Sequence, residues 1–380
     1  MLRIFARGMQ RRGLSYGSTS WLSNRLSKKL SQFGAFDQVK KAADDKAMVL
    51  LGMCYAMGRD VEKCDVTAAE WFKKSAAKGN AESKLAMGLW ALEGRGNMKA
   101  DPIAAKPYLE EASAAGLGDA SAILGILWLE GKLGKKDEAA AAELFRKASD
   151  KGNWLATYNL GVLIAEGRGI SASPSKGYEL IRKSAVAGLA DAQYALAAAY
   201  NFGGMKLKRD AKKSHEWMLK AAKQGKASAQ YNVGVQFANG EGVEKNLKEA
   251  VLWYTRAAEQ GLVESMCNLG TLLLSADEVK NESEGFRWSL QAAQKDFDMA
   301  KFNVGYCYHT GELLPLASSP YSRPGLGTDK NAEEAMRWYK EAAGKGQKLA
   351  MLQLAAMYRK GEGVPADEEM AKEWESKAQK

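Results

Sequence analysis

Small and apolar residues recur along this chain at the spacing of one helical face. Tyr231, Gly234 and Phe237 lie at three-residue intervals, close to the 3.6-residue period of an α-helix. Gly240 follows at the point where the pattern stops, and glycine readily adopts the left-handed conformation that ends many helices. A second apolar-periodic stretch covers residues 248–260. The pattern predicts two helices joined by a short turn.

This two-helix unit is repeated nine times, with spacings of 35 to 37 residues except for a last spacing of 50. A fixed period in this range is typical of stacked supersecondary units. Each unit opens on a small residue: Ala47, Ser83, Ala120, Ala156, Ala192, Ala229, Ser265, Ala300 and Ala350. The repeat array therefore spans most of residues 37–380.

Two sets of residues have predicted structural roles within the units. A glycine in mid-helix costs about 1 kcal/mol of helix propensity, so we expect it to allow close packing of the two helices. These glycines are Gly52, Gly88, Gly125, Gly161, Gly234, Gly270 and Gly305. A tryptophan on the second helix is expected to fill the core between units, rather than bind a ligand. The tryptophans are Trp71, Trp217, Trp253, Trp288, Trp338 and Trp374.

The sequence resembles the Sel-1-like repeat family, the 36-residue relative of the tetratricopeptide repeat, over residues 47–380. Segments such as residues 229–234, Gly240 to Val243 and Trp253-Tyr254 match its pattern, although units two to four lack the tryptophan. The resemblance implies an all-α, right-handed α/α solenoid of helix-turn-helix repeats. It also implies a scaffold that binds protein partners through its concave face.

A row of amides is the first candidate binding feature. In such solenoids the first helices line the concave groove, where an amide can hydrogen-bond the backbone of an extended peptide or a helix. The alternative is that these amides bond within the solenoid. The residues, two positions before the packing glycine, are Asn159, Asn232, Asn268, Asn303 and Gln353.

An insertion at residues 313–328 lengthens the eighth unit. It contains three of the seven prolines, which block helix continuation and predict a loop. Insertions at one point of a repeat array often form binding features, so Tyr321 and Arg323 are candidate partner contacts. An inert surface loop is the alternative.

Residues 1–36 differ in composition from the repeats. They are rich in arginine and serine and have no acidic residue, which is typical of a mitochondrial transit peptide. We therefore expect a mitochondrial protein, in the matrix or in a complex on the matrix side of the inner membrane. A basic N-terminal arm is the alternative, and Leu22, Leu26, Leu30 and Phe33 also suit an amphipathic helix that caps the solenoid.

The formal net charge of +10 lies mostly in this segment, which contributes seven of the ten charges. The remainder, at +3, does not favour a nucleic-acid partner, although RNA binding in mitochondrial gene expression stays an alternative. Its best local candidate is a basic run of Lys206, Lys208, Arg209, Lys212 and Lys213.

Residues suited to catalysis are sparse. The only histidines, His215 and His309, are more than two units apart, and the four cysteines show no metal-ligand spacing. Cys54 and Cys64 are near enough in sequence that a disulfide stays open. We predict no enzyme activity, cofactor, metal or small-molecule substrate. No apolar run reaches the 18 residues that a transmembrane helix needs. The predicted function is a scaffold, assembly factor or accessory subunit of a mitochondrial protein complex.

Overall fold

The computed structural model describes Lys40 and residues 45–204, 207–310 and 331–379. These residues form eighteen α-helices and one short 3-10 turn, with no β-strand among them. In sequence order the helices form nine pairs, which we call hairpins. In eight of them the two helices pack together within one compact unit, and consecutive hairpins of the same unit also pack against each other. The predicted all-α repeat fold is confirmed.

The helices are numbered in chain order, so that the first helix of each hairpin has an odd number and the second has an even number. The first helices are α1 Asp45–Met57, α3 Ala81–Glu93, α5 Gly118–Glu130, α7 Trp154–Glu166, α9 Ala190–Phe202, α11 Ala227–Asn239, α13 Val263–Ser275, α15 Asp298–Thr310 and α17 Lys348–Lys360. The second helices are α2 Asp65–Ala77, α4 Pro102–Ala114, α6 Glu138–Asp150, α8 Pro174–Val186, α10 Ala211–Lys223, α12 Leu247–Glu259, α14 Glu282–Gln294, α16 Ala332–Gly344 and α18 Glu368–Gln379. Every first helix begins two residues before the small residue that marks its unit in the sequence.

Side-chain caps fix where most second helices begin. An aspartate or asparagine precedes the helix and accepts a hydrogen bond from a backbone N–H of the first turn, which would otherwise lack a partner. Asn246, for example, accepts from the Glu249 amide at 3.0 Å. The other residues with this role are Asp101, Asp137, Asp210, Asn281, Asn331 and Asp367.

The mid-helix glycines lie where the two helices of a hairpin come closest. At each of the seven, an added Cβ would come closer than 3.0 Å to an atom of the second helix. At Gly234 the atom is Tyr254 Cδ1, and at Gly88 it is Leu109 Cδ2. At six of the seven glycines the nearest residue is the one after the tryptophan position, and at Gly161 it is Gly177, so the tryptophan itself lies beside this contact and not within it.

The tryptophans are only partly the core residues that the pattern predicts. Trp253, Trp288 and Trp338 are buried, whereas Trp71, Trp217 and Trp374 are half-buried. A lysine or arginine one or three residues away lies over each ring, 4.0–5.1 Å from its centroid, which is a cation–π contact. Each ring therefore packs in part against its neighbours and is in part covered by a cationic side chain, because the side of the second helix that carries the ring is near the surface.

A second set of glycines lies where consecutive hairpins come into backbone contact. Gly242, with φ of +75°, lies against the first turn of α10 in the preceding hairpin. A Cβ there would overlap the carbonyl of Ala211. Gly169 has the same relation to Glu138, so the backbone-to-backbone contact recurs in both compact units.

The chain divides into two compact units. Of the described residues, 45–196 and 207 belong to the first unit, and 197–204, 208–310 and 331–379 belong to the second. In the first unit Phe72 and Trp90 are fully buried, with their rings edge to face at 5.3 Å. In the second, Tyr339 is fully buried and packs on Gly305. No helix in the described part of the chain has the length and apolar character to cross a membrane.

Candidate protein-binding face

Two of the predicted amides link neighbouring first helices in the second unit. Asn303 on α15 donates a 2.8 Å hydrogen bond from Nδ2 to Thr271 Oγ1 on α13. Asn268 on α13 donates in the same way to Tyr231 Oη on α11, at 3.3 Å. Both bonds run from a hairpin to the one before it, so this position of the repeat points backward along the array.

The Asn268 amide also faces Tyr254. Burial raises the pKa of the Tyr254 hydroxyl to about 12, and the hydrogen bond from Asn268 opposes this rise. The amide therefore lies at a partly buried junction of α11, α12 and α13. The sequence suggested two roles for these amides, a bond to a partner or a bond within the solenoid. Both roles are compatible with this arrangement, because the Nδ2 groups bond within the solenoid while the residues stay partly exposed.

The other three amides occupy different surroundings. Asn232 donates to the Ser228 carbonyl at 2.7 Å, within its own helix. Asn159 belongs to the first unit and is only 2% exposed, and its Oδ1 is buried with no hydrogen-bond partner among the described residues. Gln353 on α17 is partly exposed. The five amides therefore do not form one continuous row; four lie in the second unit and Asn159 does not.

The second unit carries a mixed surface around these four amides, which we call the amide face. It comprises two positions of each first helix from α11 to α17, and all its members are at least partly exposed. They are Asn232, Val235, Asn268, Thr271, Asn303, Tyr306, Gln353 and Ala356. None carries a charge. The sequence pattern did not single out Tyr306, which is 45% exposed; its position one residue after the packing glycine was the available signal.

The same two positions are chemically different in the first unit. In α1 they hold Leu50 and Met53, and in α3 they hold Ala86 and Leu89, all of which are buried. Apolar side chains at these positions make a core instead of an accessible polar surface. Of the two units, only the second presents accessible uncharged hydrogen-bonding groups at these two positions of its described first helices.

Ion pairs of Lys301 and a contact between His309 and Glu362 lie around this face in the last two hairpins. Lys301 on α15 is buried and pairs with Asp296 and with Glu341, the latter at 3.3 Å. His309 Nε2 lies 2.8 Å from Glu362 Oε2 in the following hairpin. The hydrogen bond from Lys301 to Asp296 is the main reason that the pKa of Asp296 is lowered. Lys301 and Glu341 lie within the eighth hairpin, whereas His309 and Glu362 link this hairpin to the last one, and none of these residues belongs to the amide face.

The cysteines give no reactive cluster. All four are free thiols, so Cys54 and Cys64 are not joined in this structure. Burial raises the pKa of Cys54 and of Cys267 to about 11 each, whereas the hydroxyl of Thr67 lowers the pKa of Cys64. Across the described residues, no three histidine, cysteine, aspartate or glutamate side chains gather as they would around a metal ion.

The other predicted site lies elsewhere in the chain. Tyr321 and Arg323, the candidate contacts of the 313–328 insertion, fall outside the described residues. So does the N-terminal segment, residues 1–36. Predictions for both therefore rest on sequence alone.

The family can be assigned from the repeats. A model of the Sel1 repeat matches ten segments that together cover nearly all of residues 45–378. Two of the ten, 298–316 and 321–347, correspond to the two helices of the eighth hairpin, so ten matches and nine hairpins agree. The chain belongs to the Sel1 repeat family. Solenoids of this family are commonly scaffolds for protein interactions and are typically non-catalytic.

Solved structures and a curated protein resemble this Sel1 repeat chain. A protective antigen of uropathogenic Escherichia coli with an SLR fold has a TM-score of 0.72 and 26% identity, covering all of this chain and 79% of the other. A Sel1 repeat protein from Oxalobacter formigenes, 22% identical with a TM-score of 0.58, covers 90% of this chain and 92% of the other, and shows the fold alone.

The curated protein is chitin synthase regulatory factor 3 of Schizosaccharomyces pombe. It is 27% identical over 289 residues, which are 73% of this chain. The match spans only 27% of the yeast protein. The similarity therefore concerns the repeat region and not the whole of that protein.

Proposed function

We propose that this chain is a non-catalytic scaffold that binds a protein partner on the amide face of its second unit. The observation that carries the proposal is the chemistry of this face. It combines amide groups, a threonine hydroxyl and a half-exposed tyrosine, on four consecutive first helices. Such groups suit a peptide backbone or the polar side of a helix, since both offer hydrogen-bond donors and acceptors.

The proposed partner contacts differ from the bonds within the solenoid. The Nδ2 groups of Asn268 and Asn303 are used between helices, so their carboxamide oxygens are the groups available to accept bonds from a peptide N–H. Tyr306 adds aromatic area with a polar end, the combination that is enriched in binding hot spots. The named role of the fission yeast relative, a regulatory factor, supports a scaffold over an enzyme.

RNA binding is the less favoured alternative. Nucleic-acid binding depends on lysines and arginines that contact phosphates, and the eight residues of the amide face contain none. In the basic run, Lys213 is paired with Asp210 at 3.0 Å and also lies over the Tyr200 ring. Binding through the amide face should accordingly depend little on salt, whereas RNA binding should weaken steeply as salt rises.

The test of the proposal uses an exposed residue that can be changed without breaking a bond between hairpins. Tyr306→Ala should reduce co-purification of the partner from cells at least tenfold. Leu252→Ala is the matched control, because Leu252 is 42% exposed on the second helix α12. If both variants retain the same partners as the natural protein, the amide face is not the binding surface.

We further propose that the protein acts in mitochondria, as an assembly factor or accessory subunit. The support is the arginine-rich, acid-free segment at residues 1–36. Fusing this segment to a fluorescent protein should direct the fusion to mitochondria. Changing Arg3, Arg7 and Arg11 to glutamate should abolish this. A fusion that stays diffuse in the natural form would refute the assignment but leave the amide face untouched.

A further inference from the structure

Two large apolar side chains at one end of the first unit are exposed to solvent. Trp154 is the first residue of α7 and is 47% exposed, and Val186 is the last residue of α8 and is 67% exposed. The same two positions hold Gly118 and Asp150 in the preceding hairpin. A stable hairpin therefore does not need a large apolar side chain at either position.

The two side chains lie on adjacent loops. These loops connect the second helix of one hairpin to the first helix of the next, so they share one end of the unit. A Cβ on Gly118, the first residue of α5, would lie 2.9 Å from Lys151 Cβ at the end of α6. Thirty-six residues further on, the same register places Trp154 beside Ala187, the residue that follows Val186.

We call this surface the loop edge and define it as residues 114–118, 147–154 and 182–190. All of them belong to the first compact unit. A hydrogen bond of 2.9 Å from Asn153 Nδ2 to Asp119 Oδ1, at the start of α5, joins two of its loops. Its other exposed uncharged residues are small: Ala114, Ala115, Gly116, Gly152 and Ala187. The loop edge therefore combines small residues with one exposed aromatic ring and one exposed aliphatic side chain.

Basic side chains surround these apolar groups. The loop edge has one carboxylate, on Asp150, and four exposed basic residues, which are Lys147, Lys151, Arg182 and Lys183. None of the four forms an ion pair with another residue in the described part of the chain. Lys183 precedes Val186 by three residues, which places both on the same side of α8. The complementary partner is therefore an anionic surface that also accepts apolar side chains.

We propose that the loop edge binds the surface of a membrane that contains anionic lipids. Tryptophan is enriched at the boundary between membrane and water, because its ring is apolar and its N–H is polar. Lysines and arginines near an anionic leaflet add an attraction that decreases over a Debye length. Apolar and basic groups on one surface together give peripheral binding without a spanning helix.

The apolar side chains favour lipid over other anionic partners. An acidic protein segment or an RNA would pair with the lysines and with Arg182, but neither needs the exposed aliphatic side chain of Val186. The boundary between headgroups and acyl chains accommodates both Val186 and Trp154. The loop edge belongs to the first unit and the amide face to the second, so this proposal does not depend on the proposed partner binding.

Flotation of the purified full chain with lipid vesicles tests the proposal. The vesicles consist of phosphatidylcholine with about one third phosphatidylserine, and vesicles of phosphatidylcholine alone serve for comparison. Residues 1–36 are themselves basic, so all measurements use a chain in which Arg3, Arg7 and Arg11 are changed to glutamine. This chain should float with the anionic vesicles and not with the neutral ones.

Two double variants of this chain address the two parts of the loop edge. Trp154→Ser with Val186→Ser removes the apolar groups and should reduce binding to the anionic vesicles at least tenfold. Lys151→Glu with Lys183→Glu reverses two charges and should also reduce it at least tenfold. All four residues are exposed, so melting temperatures should stay the same.

The matched controls lie at the opposite end of the unit, where the turns within hairpins are found. Ile103→Ser removes an apolar side chain that is 56% exposed. Lys99→Glu with Lys135→Glu reverses two exposed charges that have no ion-pair partner among the described residues. Both controls should float as well as the parent chain.

Three results would overturn the proposal. Equal flotation of all variants would mean that the loop edge does not contact the membrane. A loss in both lysine variants, at either end, with none in the serine variant would mean that net charge alone holds the protein on the vesicles. Binding of an RNA oligonucleotide or of polyglutamate through Lys151 and Lys183, without flotation on anionic vesicles, would assign the loop edge to a different partner.

Discussion

Replacing Gly242 by alanine should destabilise the protein through one contact between hairpins. Gly242 has φ of +75°, in the left-handed region that costs other residues about 1–2 kcal/mol. A smaller effect of the opposite sign, about 0.4–1 kcal/mol, comes from the reduced freedom of the unfolded chain. The added Cβ would also meet the carbonyl of Ala211, and such overpacking costs about 1–3 kcal/mol. The expected net loss is about 2–4 kcal/mol.

Gly240→Ala is the matched control, since its φ of +73° gives the same backbone penalty. The nearest atom to its Cβ would be Lys245 Cβ at 3.4 Å, an ordinary contact, so only about 1 kcal/mol should be lost. The difference between the two variants measures the contact with Ala211 alone.

The assay is hydrogen exchange, combined with urea unfolding of both variants. Because units of a repeat array contact only their neighbours, the exchange should rise first in α10 and α11. Equal losses of unfolding free energy in the two variants, or faster exchange spread evenly over the second unit, would refute the assigned role of Gly242.

Three further outcomes follow from named contacts. Asn303→Ala removes the bond to Thr271 and should lower the free energy of unfolding by about 1 kcal/mol in urea titrations; no change would mean that the bond is not formed in solution. The hydrogen bond from Arg168 lowers the pKa of Glu138, so this pair stabilises the fold above pH 4.5 and the effect is lost as the pH falls through the lowered value. Arg168→Gln should therefore raise the midpoint of acid unfolding, and an unchanged midpoint would contradict the pairing. Cys64→Asp should raise the melting temperature by giving α2 the capping carboxylate that other second helices have, whereas Cys64→Ala should not.

The repeat could be read from the sequence because its helical period and its turn glycines are local signals. The openers, packing glycines and helix ends keep one register over nine hairpins, and the helices begin within two residues of the marked positions. The second glycine of each turn was recognised only as a turn residue. Its contact with the preceding hairpin, as at Gly242 and Ala211, depends on stacking that periodicity does not show.

The candidate site was less accessible to such reasoning. The amide positions could be found by their spacing. The spacing does not show that Asn268 and Asn303 bond to the preceding first helix, or that Asn159 is buried. The exposure of Tyr306 depends on what the adjacent hairpins leave uncovered. The tryptophans were predicted as core residues because aromatic side chains usually are, yet Trp217 is half-buried under Lys220.

Photo-crosslinking from the amide face tests the central claim most directly. A photoreactive amino acid at position 306 should crosslink to a discrete protein partner in cells, and irradiation of cell lysates at rising salt should give the same yield. The same group at position 252, equally exposed on α12, should not give that product. Crosslinks to RNA at position 306, or the same products from both positions, would contradict a protein-binding role for this face.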